Sequence, residues 1–318
     1  MKIIISPDSF KGTLSAVDAA TIIEKSLKQL NPEIEAVRLP VADGGEGTLE
    51  AFIVATNGSY IEVDVKDPLG RDIRARYGIL GDGKTCIIEM AQASGITLVS
   101  SEERDPLVAT TYGTGMLIEH ALQRGYRKFI IGIGGSATND AGIGMLSALG
   151  VKFLDEQMLP LMSNVSSLEK LHAIDVSNMN PLVKESHFTI ACDVNNPLIG
   201  PNGATAIFGP QKGVKPHQIE LLDHYLTCFA DKVEQITGVH LHDYPGAGAA
   251  GGIGGAFCAF FPSTFKKGID VVLEVVKFEE HLHSASFVIT GEGKSDVQTL
   301  SGKAPMGIAQ SGNESARR

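Results

Sequence analysis

The chain has 318 residues, of which 43% are hydrophobic and 20% charged, so it has the length and apolar content for about two domains. Its formal net charge of −10 argues against binding of nucleic acid or an anionic membrane, while small anionic ligands remain open. No stretch resembles a signal-peptide core or a membrane span, and the four cysteines form no CxxC pair. We therefore expect a cytoplasmic protein with reduced thiols.

The N-terminal region alternates between strand and helix patterns. Successive segments predict a strand, a helix, a strand and a helix, over residues 2–6, 15–30, 37–41 and 48–56. This order favours a parallel sheet. Apolar residues then recur with period two, which predicts hairpin strands over residues 60–65, 72–80 and 85–91, and a domain boundary near residue 77.

Alternating α/β order resumes after the hairpins. Helical spacing is found over residues 110–125, 139–150, 216–238 and 268–282, and strand patterns over 128–135, 151–155, 187–194 and 286–293. A last helix is predicted to begin around Gly302. The final nine residues, QSGNESARR, contain no large apolar side chain for a buried helix face, which indicates an incomplete final segment.

Two polar loops follow the first two strands, where open α/β sheets bind ligands. In PDSFKGTLSA, Asp8, Ser9 and Lys11 are candidates for holding a metal-bound phosphate. In ADGGEGT, Asp43 and Glu46 are candidate Mg²⁺ ligands. The alternative is that these residues only shape turns and favour a helix start.

The segment GIGGSATND supports two functional interpretations. Gly132, Gly134 and Ala137 match a dinucleotide pattern, with Asp155 about 20 residues further on, which indicates a hydride-transfer enzyme. The same segment suits a nucleotide phosphate, through the small residues and hydroxyls and through free amides of a helix beginning near Asn139. The phosphate-site candidates are Gly134, Gly135, Ser136 and Thr138. A tight packing turn is the third interpretation.

GAGAAGG, at 246–252, matches the glycine pattern again without a preceding strand.

GILGDGKT, at residues 78–85, satisfies the formal P-loop pattern. A P-loop must open a helix, whereas the residues that follow, CIIEMA, have strand character. We therefore predict a hairpin turn here.

Further polar residues follow the later strands. Asp193 and Asn195 lie in ACDVNNPL, where Asp193 is a candidate general base for a substrate hydroxyl. FGPQKG contributes Lys212. TGEGKSD and SGKAP contribute Glu292, Asp296 and Lys303. Six polar, glycine-rich loops at strand ends favour a function. By contrast, no third ligand with metal spacing accompanies His240 and His242, so no zinc site is predicted there.

The motifs together resemble the bacterial glycerate kinase type 1 family. The resemblance is carried by PDSFKGTLSA, LPVADGGEGT, RDPL, TTYGTG, GIGGSATNDAG, ACDVNNPLIGPNGA, FGPQKG, PGAGAAGG and ITGEGKSD, in this order. It implies ATP-dependent phosphorylation of D-glycerate to 2-phosphoglycerate, with 3-phosphoglycerate as the lesser alternative. It also implies that members continue beyond GKAPMGIA with further α/β structure.

The resemblance further implies two unlike α/β domains with a cleft between them. The first would be a parallel Rossmann or flavodoxin-like sheet, formed by residues 1–77 and 284–318, and the second, residues 78–283, would be inserted into it. The expected partners are D-glycerate and ATP, with no nucleic acid and no membrane, and a homodimer is left open.

The mechanism we expect is in-line phosphoryl transfer, with Asp193, Lys11 and Asp8 as catalytic residues. Mg²⁺ would be bound by Asp43, Glu46 and Asp296. Substrate or nucleotide would be bound by Ser9, Asp43, Glu46, Gly134, Gly135, Ser136, Thr138, Asn195, Lys212, Glu292 and Lys303. Two alternatives remain: an NAD-dependent hydroxy-acid dehydrogenase, and a non-catalytic remnant that only binds ligand.

Overall fold

The computed structural model describes residues 1–10, 13–42, 44–45, 47–293 and 304–316. The strands are β1 (Lys2–Ile5), β2 (Glu35–Arg38), β3 (Ser59–Lys66), β4 (Asp72–Ile79), β5 (Thr85–Glu89), β6 (Lys128–Gly132), β7 (Lys152–Leu154), β8 (Ala173–Asp175), β9 (His187–Ala191), β10 (Ser263–Lys266) and β11 (Phe287–Ile289). The helices are α1 (Ala16–Leu30), α2 (Thr48–Thr56), α3 (Ala91–Ser94), α4 (Tyr112–Gln123), α5 (Ile143–Ala148), α6 (Ala204–Phe208), α7 (Ile219–Thr237), α8 (Ile253–Phe260), α9 (Gly268–Val275), α10 (Phe278–Leu282) and α11 (Ala304–Ala316). This mixed order confirms the predicted α/β class.

The chain divides into two compact units. The first comprises Met1–Tyr60, Gly78–Gly83 and Lys266–Arg318, and the second comprises Ile61–Tyr77 and Lys84–Phe265. The first unit is therefore discontinuous in sequence. The domain limits expected at residues 77 and 284 stay a prediction.

The first unit contains a parallel sheet with the order β11-β1-β2 among the described strands. Its central strand, β1, is fully apolar after Lys2, as a strand covered on both faces must be. Helix α1 begins where the Ser15 hydroxyl accepts the backbone N–H of Asp18 at 3.0 Å. Side chains of α1, β1 and the segment before β2 form one apolar cluster, which contains Ile3, Ile5, Ala20, Ile23, Leu27 and Ile34.

The second sheet has the order β10-β9-β6-β5-β4-β3. Strands β5, β6 and β9 run parallel and form its centre. The aromatic rings of Phe129 on β6 and Phe188 on β9 stack with centroids 4.7 Å apart, and both side chains are fully buried. A small antiparallel sheet, β7-β8, is separate from this sheet.

The segment that matches the P-loop pattern is a turn between two strands. β4 ends at Ile79 and β5 begins at Thr85, so the lysine and threonine of GILGDGKT do not open a helix. The predicted hairpin turn is confirmed. Connections this short are found between antiparallel strands, because parallel strands need a longer crossover.

The helix predicted over residues 268–282 is instead two helices, α9 and α10. Lys277 lies between them with a φ of 50°, which interrupts the helical backbone. On either side of it, Val276 and Phe278 are both buried. The break therefore places two neighbouring apolar side chains in the core, which one continuous helix would direct to different sides.

The four cysteines are free thiols, as predicted. Within the described part of the chain, no helix combines the length and apolarity needed to cross a membrane.

Candidate functional site

Three parallel strands of the second unit end at one edge of the sheet. The register pairs Glu89 of β5 with Gly132 of β6, and Gly132 with Ala191 of β9. The segments that follow β6 and β9 therefore leave the sheet side by side. In open α/β sheets this carboxyl edge is where ligands bind.

The loop after β6 is held against the segment that follows β5. The backbone N–H of Ile96 donates to the Gly135 carbonyl at 2.8 Å, and that of Ala137 donates to the Ser94 carbonyl at 2.9 Å. By contrast, the N–H groups of Gly134 and Gly135 donate to no backbone acceptor within the described residues. These two amides remain available to an anionic ligand.

Lys212 lies inside the protein, against this loop. Its side chain is 2% exposed, and its Nζ donates to the Ser136 hydroxyl at 2.6 Å and to the Thr138 carbonyl at 2.7 Å. Burial lowers the pKa of Lys212 to about 7, and the negative charge of Asp140 partly opposes that shift. The structure thus brings together three predicted site residues, Lys212, Ser136 and Thr138.

The helix predicted to begin near Asn139 begins at Ile143, so this prediction is wrong by about one turn. The physical reason is that Ala141 has a φ of 55°, outside the helical region. The extra residues form a buried turn before the helix, in which Asn139 donates from Nδ2 to the Thr205 hydroxyl at 2.9 Å.

Asp140 occupies the amides that were expected to bind phosphate. Its carboxylate accepts the backbone N–H groups of Thr111 at 2.8 Å, Gly142 at 3.1 Å and Gly144 at 3.2 Å. It also accepts the Thr111 hydroxyl at 2.8 Å, and that hydroxyl accepts the N–H of Met145. Burial raises the pKa of Asp140, and these hydrogen bonds oppose the rise. The start of α5 is therefore fixed by the protein's own carboxylate.

The glycine-rich turn at residues 246–252 packs against both loops of this edge. Gly248 donates its N–H to the Asn196 carbonyl at 3.0 Å, and Ala141 donates to the Gly251 carbonyl at 2.9 Å. A Cβ on Gly248 would collide with a backbone carbonyl of the loop after β9, and one on Gly251 with a carbonyl of the loop after β6. The glycines therefore permit close backbone packing.

Asp193 and Asn195 lie in the loop after β9, and both side chains are exposed. The neighbouring Cys192 is partly buried, and its thiol donates to the Val194 carbonyl at 3.3 Å. The carboxylate of Asp193 therefore projects from a loop that backbone contacts hold at the sheet edge.

The first unit has its own carboxyl edge. Asp8 is buried and donates its backbone N–H to the Gly291 carbonyl at 2.8 Å, which brings it beside the segment that contains Glu292. The backbone N–H of Ser9 donates to the Asp8 carboxylate at 2.6 Å. Three predicted site residues, Asp8, Ser9 and Glu292, thus share this edge.

Five predicted site residues lie outside the described residues: Lys11, Asp43, Glu46, Asp296 and Lys303. Their roles stay predictions.

Sequence reasoning missed the buried polar residues that support the loop after β6. Asp140, Thr111, Asn139 and Thr205 are all fully buried and linked by hydrogen bonds. For Thr111, Asn139 and Asp140 the signal available was their position inside the motifs TTYGTG and SATNDAG, where small and polar residues interrupt apolar segments. Thr205 lies outside these motifs.

The dinucleotide interpretation of GIGGSATND does not agree with the structure. The fingerprint needs its acidic residue at the end of the next parallel strand. Asp155 instead follows β7, which pairs only with β8 in the described sheets, and it accepts the N–H groups of Gln157 and Leu159, both at 2.9 Å. Asp155 shapes a turn.

Comparisons with known proteins agree on one family. The model of the "Glycerate kinase family" matches residues 3–317. A glycerate 2-kinase of Escherichia coli is 50% identical over 309 residues, which are 97% of this chain and 81% of that protein. A glycerate kinase of Bacillus subtilis is 49% identical over 310 residues, 98% of this chain and 81% of the relative. The crystal structure of a putative glycerate kinase 2 from Salmonella typhimurium matches with a TM-score of 0.93 and 46% identity, covering 99% of this chain and 84% of that one.

Proposed function

The chain belongs to the glycerate kinase family, and we propose that it transfers the γ-phosphoryl group of ATP to the 2-hydroxyl of D-glycerate. The observation that carries this proposal is the 50% identity to a protein named glycerate 2-kinase, over 97% of the chain. The 3-hydroxyl is the lesser alternative. The failed match of Asp155 to the dinucleotide fingerprint removes the support for a dehydrogenase.

We assign Asp193 as the general base that accepts the proton of the glycerate hydroxyl. This assignment is supported by the exposed side chain of Asp193, which lies in a loop that leaves the sheet beside the loop after β6. A base near the acceptor hydroxyl raises the nucleophilicity of the oxygen as it attacks the phosphorus atom. Asn195, in the same loop, would orient the substrate.

The loop after β6 fits a nucleotide phosphate. Its support is the pair of amides at Gly134 and Gly135, which donate to no backbone acceptor among the described residues. A phosphate offers the acceptor oxygens that these amides lack here. Thr138 is fully buried, so its role as a phosphate contact stays a prediction. Lys212 does not reach the surface, so we assign it as a positioning residue that holds Ser136 and the Thr138 carbonyl in place.

When bound, Mg²⁺ would neutralise negative charge on the phosphoryl oxygens. Carboxylate oxygens are its usual protein ligands, and the described edge of the first unit offers those of Asp8 and Glu292. We assign Asp43, Glu46 and Asp296 as further Mg²⁺ ligands. Lys11 would neutralise negative charge on the transferred phosphoryl group. Ser9 and Lys303 would bind substrate.

We also infer that the first unit is a flavodoxin-like domain into which the second is inserted. The support is its parallel sheet, in which β11, from the far end of the chain, pairs with β1. A homodimer stays a prediction.

The test is a reaction of the purified chain with ATP, Mg²⁺ and D-glycerate, followed by ³¹P NMR against both phosphoglycerate standards. We expect 2-phosphoglycerate and ADP in equal amounts. Absence of phosphoryl transfer to glycerate would contradict the proposal, and formation of 3-phosphoglycerate would contradict the assigned hydroxyl.

Asp193→Asn tests the base. It keeps the size of the side chain but cannot accept the proton, so kcat should fall by about 10²–10⁴-fold. Asp72→Asn, which changes an exposed carboxylate paired with Lys66, is the matched control and should retain the parent kcat. A kcat for Asp193→Asn within a few-fold of the parent would exclude Asp193 as the base.

A further inference from the structure

The end of α7 and the segment after it bring two imidazoles and a carboxylate together on the second unit. One ligand atom from each of Glu234, His240 and His242 lies within 4.8 Å of the others. None of these residues belongs to the carboxyl-edge site. We propose that Glu234, His240 and His242 bind a divalent transition-metal ion such as Zn²⁺.

Local structure explains why sequence spacing did not indicate this site. Asp231 and Glu234 lie one turn apart on the last part of α7, so they share a helix face. Gly238 ends the helix with a φ of 75°, and its N–H donates to the Glu234 carbonyl at 2.9 Å. The chain then turns back over the helix end, where His240 and His242 meet the carboxylates. Glu234 therefore lies where a third ligand of the histidine pair could stand, which sequence spacing did not indicate.

The two imidazoles are arranged side by side. Their rings stack with centroids 4.4 Å apart and an interplanar angle of 25°. His240 Nδ1 lies 2.9 Å from Glu234 Oε2. In a tetrahedral zinc site the ligand atoms are about 3.4 Å apart, because each lies about 2.1 Å from the ion. The side chains of Glu234 and His240 are about half exposed, so their rotation can close the rest of the distance.

The surrounding carboxylates match the usual environment of metal-bound histidine. A metal-binding imidazole commonly donates its other ring N–H to a carboxylate. His242 Nε2 lies 2.8 Å from Asp231 Oδ1, and His240 Nε2 lies 3.6 Å from Asp243 Oδ1. With Nε2–H of His242 donated to Asp231, its Nδ1 carries the lone pair.

The Nδ1 atom of His242 distinguishes a metal site from a simple set of surface ion pairs. It is buried and has no hydrogen-bond partner within the described residues. Ion pairing with Asp231 accounts for Nε2 alone and leaves Nδ1 unexplained. A metal ion would use that lone pair, and nitrogen ligands favour Zn²⁺ over Mg²⁺, which prefers oxygen.

The experiment is calorimetric titration of the full chain with Zn²⁺ after chelator treatment, without nucleotide or glycerate. The titration is run at neutral pH, where Zn²⁺ stays in solution and displaces the proton of imidazole as it binds. We expect one zinc ion per chain, and loss of that binding in the double variant His240→Asn, His242→Asn.

A second pair on α7 provides the matched control. Cys228 Sγ and His224 Nε2 lie 3.7 Å apart, so this pair could also take up zinc. The variant His224→Asn, Cys228→Ser should keep the zinc ion, and bound Co²⁺ should show no thiolate charge-transfer band. No binding at millimolar Zn²⁺, unchanged binding in the double histidine variant, or loss in the control would each overturn the proposal.

Glu234→Gln keeps the proposal testable if the histidine variants do not fold. It changes one half-exposed side chain by one atom, and its zinc affinity should fall by about 10–100-fold. An affinity equal to that of the parent would exclude Glu234 as a ligand and overturn the site.

Discussion

In each unit, loops meet where the parallel strands end, and the two carboxyl edges are built by different kinds of contact. In the first unit, the described loops are joined mainly by backbone hydrogen bonds, such as Ser6 N–H to the Ile289 carbonyl and Val41 N–H to the Pro7 carbonyl, at 2.8 and 3.0 Å. In the second unit, buried side chains join the loops, above all Asp140 and Lys212.

This difference determines how each edge responds to substitution. A backbone hydrogen bond survives a change of side chain, whereas a buried carboxylate that accepts several N–H groups leaves them all unpaired when it is removed. We therefore expect single substitutions to damage the second edge more than the first.

Replacing Asp140 should have the largest effect. Asp140→Ala leaves the buried N–H groups of Thr111, Gly142 and Gly144 without their acceptor. An unpaired buried donor costs about 1–3 kcal/mol, and some of that cost is recovered because the desolvated carboxylate is also removed. We expect the free energy of unfolding, measured with urea, to fall by about 3–5 kcal/mol.

Asp155→Ala is the matched control, since Asp155 also accepts two backbone N–H groups but on the surface. Water replaces its hydrogen bonds, so the loss should be about 1 kcal/mol or less. Equal losses in both variants would break the comparison, because burial would then not be the deciding factor.

Lys212 should give the second edge a pH-dependent stability. Burial lowers its pKa from 10.5 to about 7, so between these values the unfolded chain binds a proton that the folded chain lacks. The contribution of Lys212 to the free energy of unfolding should therefore rise with pH across this window. The contribution is at most about 1.4 kcal/mol per pH unit.

Urea unfolding at several pH values checks this expectation. Lys212→Met should make the slope less positive than that of the parent, while Lys152→Met, a change of an exposed lysine, should leave the slope unchanged. If the parent and Lys212→Met had the same slope, the folded and unfolded chains would protonate Lys212 equally. The burial of Lys212 would then not affect the pH dependence of the free energy of unfolding.

Much of the fold could be predicted because it depends on local patterns. Apolar runs such as KIII and FIIG, followed by glycine or polar residues, indicate buried strands, and helix α2 begins and ends where its pattern predicts. The break at Lys277 could not be predicted, because tertiary burial of Val276 and Phe278 decides it.

The candidate site was predictable only in part. Strand-end position identified Ser136 and Lys212 individually, but their contact joins residues 76 positions apart. Asp140 was missed because, in sequence, it resembles an ordinary turn residue. Two of its four hydrogen bonds reach back to Thr111, and the other two accept the amides of Gly142 and Gly144 at the start of α5. Only the folded chain shows this arrangement.

The smallest expected effect concerns Ser6, on the first edge. Its hydroxyl donates to the Leu39 carbonyl at 2.7 Å, and both residues are buried. Ser6→Ala removes this one side-chain link, but the backbone bonds of the edge remain, so the free energy of unfolding should fall by only about 1 kcal/mol. Ser26→Ala, which removes an exposed hydroxyl bonded to the Ile22 carbonyl within α1, should change it by less. A loss for Ser6→Ala as large as that for Asp140→Ala would mean that the first edge also depends on a single buried side chain, and the contrast between the edges would disappear.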